Sequence, residues 1–355
     1  MIRLYNVAFR VDGSTSIGMG HITRCLSLAK EFKSNNYKVY FISKYDKGTY
    51  VIRNNGFEVI KLKNNSSKSV KGFYYGDKRD LEYEVKEIIK AIKLYNIQLL
   101  IVDSYNVTEK YFLELKNNIN KLGYIDDINK FTYPVDILIN GNIYGEIMDY
   151  KKYFSNEIML LGSRYNLIRD EFKNLPNKKI NKEIKDVMIT TGGSDPYNIT
   201  TNIINMFSDT KQLNDVRLHT VVGRGFTNKK ELKVLANKNN NIILYEDVKY
   251  MSKIMLKCDL AISSGGSTLY ELCSTGTPTI TFIIADNQIN NVEYMKRRGY
   301  MDTLGWYSDI TKENLLKMIN NLYGYKKRFT LSKKTRNLVD GNGTKRIVKE
   351  VSKVL

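Results

Sequence analysis

Residues 9–32 read FRVDGSTSIGMGHITRCLSLAKEF, and how they are read decides the fold. An apolar run passes into a turn carrying Gly13, Ser14, Ser16, Gly18 and Gly20. The turn ends in His21, where Ile22, Cys25, Leu26, Ala29 and Phe32 begin a helical spacing. A strand, a glycine loop and a helix in that order open a parallel sheet, which takes its ligands at such loops. Glycine lets backbone N–H groups approach an anion, and the following helix presents its positive end. Two common phosphate motifs are excluded. The spacing from Gly18 to Thr23 lacks the third glycine of the dinucleotide fingerprint, and the second strand ends in "FISK" without a ribose-binding carboxylate. No Gly-Lys-Ser/Thr follows, so the loop is not a P-loop. A plain glycine-rich turn is the competing reading.

His21 is one of two histidines in the chain. The other, His219, lies inside the strand pattern "RLHTVV" and reads as structural. At a helix start the dipole favours a neutral imidazole, able to accept a proton near neutral pH, and a bound diphosphate acts the other way. A lone histidine ordinarily caps or packs. Its place at the mouth of the glycine loop makes His21 a candidate general base or acid.

Outward from this stretch, short apolar runs alternate with helical patterns, the mark of a parallel α/β architecture. In the first half strands are expected at 7–11, 38–42, 58–62, 98–103, 122–126, 136–140 and 157–161, with a helix carrying Leu81, Val85, Ile88, Ile89 and Ile92. Residues 63–77 are polar and read as a mobile loop. The charged, proline-bearing stretch 162–185 reads as an interdomain connection. Alternation then restarts, with strands at 186–191, 217–222, 241–245, 260–263 and 279–284. Helices are expected near 198–208, 228–237, 248–257, 267–275, 288–298 and through the C-terminal stretch from 311. The expected fold is α/β with two Rossmann-like domains, residues 1–165 and 166–355, and a terminal helix that packs back on the first domain.

Composition narrows the class of function. The 56 Lys and Arg against 37 Asp and Glu give a net charge of +19, which fits nucleic acid, a membrane surface or an anionic substrate. Lys, Asn, Ile and Tyr are abundant throughout, and no nucleic-acid module signature is present, so an anionic small substrate is favoured. Cys25, Cys258 and Cys273 have no metal or redox spacing; Cys25 and Cys273 fall on apolar helix faces, which fits a reducing cytoplasm. No apolar run is long enough to span a membrane, and the N-terminus already reads as the first strand rather than a signal peptide.

Two more loops could hold an anion. "TTGGSDPYN" (190–198) follows the first strand of the second half, with Ser194 and Asp195 near a helix start. "ISSGGSTLYELCSTGTPTITF" (262–282) sets Ser264, Gly265, Gly266 and Ser267 before a helix whose first turn carries Glu271, a carboxylate able to accept both ribose hydroxyls. Gly276 and Pro278 stop that helix.

These residues resemble a known family. "SSGGSTLYELCSTGTPTITF" followed by "NQINNVEYMKRRGY" is similar to the donor-nucleotide region of MurG-like GT-B glycosyltransferases, and the opening stretch resembles the PseG/SpsG group more closely. Further matches run from "LIVDSYNVT" (100–108), "YIDDINK" (124–130) and "RYNLIRDEF" (164–172) to "EDVKYMSKIMLKCDLAISS" (246–264). The resemblance implies a GT-B arrangement with an interdomain cleft, metal-independent and without a cofactor. It further implies a UDP-linked nucleotide sugar as partner; a monomer, no nucleic acid and no stable membrane insertion are expected alongside.

By the same resemblance His21 is the active-site histidine. Gly20, Ser264, Gly265, Gly266 and Ser267 contact the diphosphate, Glu271 holds the ribose, and the turn at Asp247 and Val248 reads the uracil. Asn287 and Gln288 approach the sugar, Tyr105 faces the site and Asp12 lines it. Ser104 departs from the pattern, standing where family hydrolases carry a histidine. Asp126 and Asp127 read as structural or sugar-facing. The implied reaction is hydrolysis of UDP-2,4-diacetamido-2,4,6-trideoxy-β-L-altropyranose with inversion at C1, a step of pseudaminic acid biosynthesis. A GT-B transferase of the SpsG kind, with an acceptor hydroxyl in place of water and a possible surface at Phe73, Tyr74 and Tyr75, and a non-catalytic nucleotide-sugar binder stay open.

Overall fold

The computed structural model describes residues 5–14, 17–63, 80–150, 157–213 and 215–355. Ser16, the loop at 63–77 apart from Lys63, and with it Phe73, Tyr74 and Tyr75, lie outside the described residues. The chain divides into two compact units: Met1–Arg169 with Asn342–Leu355, and Asp170–Gly341.

Among the described residues of the first unit seven parallel strands run β1 (Asn6–Val11), β2 (Lys38–Ser43), β3 (Glu58–Lys61), β4 (Leu99–Asp103), β5 (Lys121–Ile125), β6 (Ile137–Asn140) and β7 (Ile158–Leu161), ordered β3-β2-β1-β4-β5-β6-β7. The central strands are buried on both faces, which is why they read as continuous apolar runs rather than alternating ones. On one face Ala8, Tyr40, Leu100 and Val102 pack under α3 (Asp80–Leu94) and α4 (Glu109–Lys116). On the other, Val7, Phe9, Phe41 and Ile101 pack under α1 (Gly20–Ser34) and α12 (Gly343–Val351), with Ile52 of α2 (Asp46–Asn54) at the rim. The last helix therefore supplies Ile347, Val348 and Val351 to the core that the first strand begins.

The second unit has six parallel strands: β8 (Asp186–Thr190), β9 (Arg217–Val222), β10 (Ile242–Glu246), β11 (Leu260–Ser264), β12 (Thr279–Ile283) and β13 (Asp302–Trp306), ordered β10-β9-β8-β11-β12-β13. Its helices are α5 (Ile199–Ser208), α6 (Lys229–Lys238), α7 (Met251–Lys257), α8 (Thr268–Thr275), α9 (Ile289–Arg297), α10 (Lys312–Asn321) and α11 (Tyr325–Arg336). β13 is absent from the sequence reading. Gly305 with φ +83° and a register shift against β12 break the alternation that would announce it. Much of the stretch read as a connection is strapped to this unit. Lys178 donates to the carbonyls of Met255, Leu256 and Cys258 at 2.9, 2.9 and 2.6 Å, closing the C-terminus of α7, and Arg328 donates to the Lys182 carbonyl at 2.8 Å.

Candidate active site

In both sheets the first strand lies beside the fourth, so the chain leaves these neighbours in opposite directions and opens a crevice at their carboxyl ends. In the first unit this crevice lies between β1 and β4. The loop after β1 turns at Gly18 (φ +83°) and is pinned by Gly13, where a Cβ would come within 2.5 Å of Ile22 Cγ1. Gly20 differs: neither its φ nor any neighbour within 4 Å demands a glycine, so the backbone there is open to an approaching group. Met19, the N-cap of α1, offers no capping side chain.

His21 follows, buried against the end of β4. Its Nδ1 lies 2.7 Å from Asp103 Oδ1. A carboxylate only accepts, so Nδ1 carries the proton and Nε2 is the basic nitrogen. Arg24, one turn along α1, donates from Nε to Asp103 Oδ2 at 2.7 Å and from Nη2 to Oδ1 at 2.6 Å, while its Nη1 holds both oxygens of Asp127 at 2.8 and 3.0 Å. Cys25 Sγ also donates to Asp103 Oδ2, at 3.3 Å. Burial alone would raise the Asp103 carboxyl, but Arg24 and His21 outweigh it and hold it well below the usual carboxylate range. Tyr105 meets the His21 ring edge-on, with centroids 4.9 Å apart, and donates to Asp127 Oδ2 at 2.6 Å. Asn142 donates to Asp127 Oδ1 at 2.6 Å.

The structure thus brings Gly20, His21 and Tyr105 together. Asp12 goes elsewhere: its carboxylate accepts from Arg10 Nη2 and from the Lys44 amide, both at 2.7 Å, within a buried network of Arg10, Glu84, Lys44 and Tyr111. The Asp126–Asp127 pair splits. Asp126 accepts from the amides of Ile128 and Asn129 and from Tyr133 and Tyr150, tying its own loop, whereas Asp127 joins Arg24. Ser104 Oγ accepts from the Asn106 amide and shapes the turn after β4.

In the second unit the crevice lies between β8 and β11. Ser264 ends β11, and Gly265 is wedged where a Cβ would come within 2.4 Å of Val292 Cγ2. Gln288 turns its side-chain carbonyl onto the amides of Gly265 and Ile284 at 3.2 and 3.1 Å, and Asn291 donates to the Gly265 carbonyl at 3.2 Å. Gly266 is half-buried, Ser267 is the exposed N-cap of α8, and Glu271 stands in its first turn. Across the crevice Gly192 (φ +88°) would place a Cβ 4.0 Å from Ser264 Oγ, and Gly193, like Gly20, has no neighbour that demands its glycine. Gly193 in turn is pressed by the loop after β9, where a Cβ on Gly223 would lie 2.5 Å from its carbonyl oxygen. Arg224 of that loop donates to Asp247 Oδ1 at 2.6 Å, holding the Asp247 carboxyl low. Asp247 is exposed, with φ +48°, and Val248 follows half-buried. A continuous row of loops therefore links Asp247 to Ser264 along one sheet edge. Asn287 is exposed on the turn Asp286–Gln288.

Asp195, named from the sequence only as a polar group, accepts from the amides of Ile199 and Thr200 at 2.9 and 2.8 Å and caps α5. His219 is fully buried between Asp186 and Tyr245, 2.6 and 2.8 Å away, in the interior as its strand position implies. Sequence reasoning assigns no role to Arg24, Asp103 or Asn142. A signal for two of them exists: Asp103 is the one charged residue ending a wholly apolar strand, and Arg24 follows His21 at i+3 on the same helix face.

Comparison with known proteins agrees with this architecture. Residues 187–351 match the model of the glycosyltransferase family 28 C-terminal domain. A Campylobacter jejuni protein named UDP-2,4-diacetamido-2,4,6-trideoxy-beta-L-altropyranose hydrolase is 28% identical over 83% of this chain and 97% of its own. The spore coat polysaccharide biosynthesis protein SpsG of Bacillus subtilis is 22% identical over 96% of each chain. The crystal structure of Acinetobacter baumannii MurG superposes with a TM-score of 0.71 at 12% identity, covering 98% of this chain and 99% of that one. With two MurG-like α/β units the chain has a GT-B fold, and along most of its length it is similar to relatives of these two kinds.

Proposed function

We propose that the protein hydrolyses a UDP-linked amino sugar of the 2,4-diacetamido-2,4,6-trideoxy-β-L-altropyranose class, releasing UDP and the free sugar with inversion at C1, as a step toward pseudaminic acid. The observation that carries this reading is the imidazole of His21, oriented through Nδ1 by Asp103 beside a glycine loop. Nε2 takes a proton from water as the water oxygen bonds to C1, and the C1–O bond to phosphate breaks with its electron pair leaving on UDP. A single displacement of this kind inverts C1. The second unit holds the nucleotide: the amides around Gly193 and Gly266 and the start of α8 stabilise charge on the departing diphosphate. Glu271 takes the ribose hydroxyls, the turn at Asp247 and Val248 the base, and Asn287 and Gln288 the sugar.

The test is UDP release from that sugar nucleotide without any acceptor. H21N is expected to lower turnover roughly 10²–10⁴-fold while calorimetry finds UDP binding unchanged. A folded H21N variant with wild-type turnover defeats the assignment. The end-to-end match with SpsG favours one other reading, a transferase in which an acceptor hydroxyl replaces water. It predicts UDP binding with release only when an acceptor is supplied.

A further inference from the structure

The second unit carries a surface that this reaction does not use. Residues 314–339 include seven Lys and Arg and no Asp or Glu, in a chain otherwise well supplied with both. Most of them lie on α11. Arg328 turns inward, fully buried, and Arg336 donates to the carbonyls of Leu175 and Pro176. Lys326, Lys327, Lys333 and Lys334 stay exposed. Among them stand Tyr323, Tyr325 and Phe329, 54%, 42% and 38% exposed, three large apolar side chains left in solvent within seven residues.

Spacing makes this one face. Tyr325, Phe329 and Lys333 follow at i, i+4 and i+8, with Lys326, Thr330 and Lys334 alongside. Tyr325 stacks on Phe329 with centroids 5.8 Å apart, and Lys333 Nζ lies 4.5 Å from the Phe329 ring centre. Lys334 extends the face to the end of α9, donating to the Arg298 and Gly299 carbonyls at 2.6 and 3.2 Å and covering the Tyr300 ring. Lys296, Arg297 and Arg298 are exposed there.

We propose that this face of the second unit docks peripherally on an anionic lipid surface. Clustered lysines are drawn to a negatively charged leaflet, and Tyr and Phe at the same height settle among headgroups. No helix among the described residues is long and apolar enough to cross a membrane, so the contact lies on the surface. A nucleic acid fits less well. The α11 rings stack on each other and under lysine instead of standing apart as platforms for bases, and the face is a convex helix rather than a groove. Its exposed α11 cations are lysines, compact point charges without the bidentate fork of arginine.

The test is flotation of the whole chain with phosphatidylcholine vesicles, with and without phosphatidylglycerol. Binding is expected only with phosphatidylglycerol and is expected to weaken with salt. K326E/K333E is expected to lower the bound fraction about tenfold or more, with UDP binding and circular dichroism unchanged. Y325S/F329S is expected to weaken binding with less effect on its salt dependence, so the proposal stays testable should the first variant misfold. Wild-type protein that ignores phosphatidylglycerol vesicles, or a charge-reversed variant that floats equally well, overturns it. So does single-stranded oligonucleotide binding that K326E/K333E abolishes in a protein that leaves vesicles alone; the face would then serve nucleic acid.

Discussion

The two units repeat one topology and furnish it differently. Each sets its first strand beside its fourth and opens a crevice there. In the first unit the crevice is filled with charge: His21, Asp103, Arg24 and Asp127 bind one another within 3 Å. In the second it is lined by Gly192, Gly193, Ser264, Gly265 and Gly266, with amides and hydroxyls in place of ions. A charged, mutually braced cluster suits proton transfer, which needs a fixed tautomer. An amide-lined turn suits holding an anion that must later leave, because it offers many weak donors and no neutralising cation. In the proposed reaction, similar scaffolds divide labour through what stands on their loops.

That contrast can be broken most directly at Asp103. D103N presents an amide to Nδ1, removes the bond that sets the tautomer, and is expected to lower turnover roughly 10²–10⁴-fold at unchanged UDP affinity. Unaltered turnover in a variant with a wild-type melting curve would mean that His21 needs no orienter. Next in size is the neighbouring network of the first unit. Burial would raise the Glu84 carboxyl, but Arg10 and Lys44 outweigh it and bring it to about 2 from an ordinary 4.5. The folded state therefore favours the carboxylate. The stability this contributes, about 3 kcal/mol, is complete above pH 4.5 and is lost as pH falls through 2. Urea titrations across that window should show a steeper slope in wild type than in E84Q, which should also be less stable at pH 7; equal slopes would remove Glu84 from the account.

In the second unit the glycines themselves can be sorted. G265A drives a methyl group against Val292 and is expected to cost about 1–3 kcal/mol of stability. G266A meets only Gln288 Nε2, at 3.8 Å, and is expected to melt like wild type while binding UDP more weakly. If G266A binds UDP normally, the amide-cradle half of the comparison fails. The smallest effect belongs to Asp195: D195A forfeits two amide bonds capping α5, about 1 kcal/mol by thermal melting, with catalysis untouched.

Much of the fold was legible because parallel strands buried on both faces announce themselves as apolar runs. What escaped was short or broken. α2 carries Gly48, required because a Cβ there would come within 2.9 Å of the Gly13 carbonyl, and glycine hides a nine-residue helix. β13 is an edge strand with a bulge. Of the site, His21 and the glycine loops were legible because each is local. Arg24, Asp103, Asp127 and Asn142 come from one helix and three strand ends spread over more than a hundred residues, and only the sheet order makes them neighbours. Asp12 shows the converse: a carboxylate placed beside the loop by sequence, yet committed to Arg10 and Lys44 by folding.

The return of α12 to the first unit has a consequence for how the protein can be taken apart. The chain starts and finishes in the same unit, and the second unit, residues 170–341, is an uninterrupted insertion within it. The ends of that insertion meet, since a Cβ on Gly341 would stand 2.5 Å from the Phe172 carbonyl. A segment that enters and exits at one seam is a natural cassette. It is expected to survive excision and grafting as a single piece, which circular dichroism of residues 170–341 alone checks, whereas trimming the final helix strips apolar cover from the opposite end of the chain, from Ile22, Cys25 and Phe32.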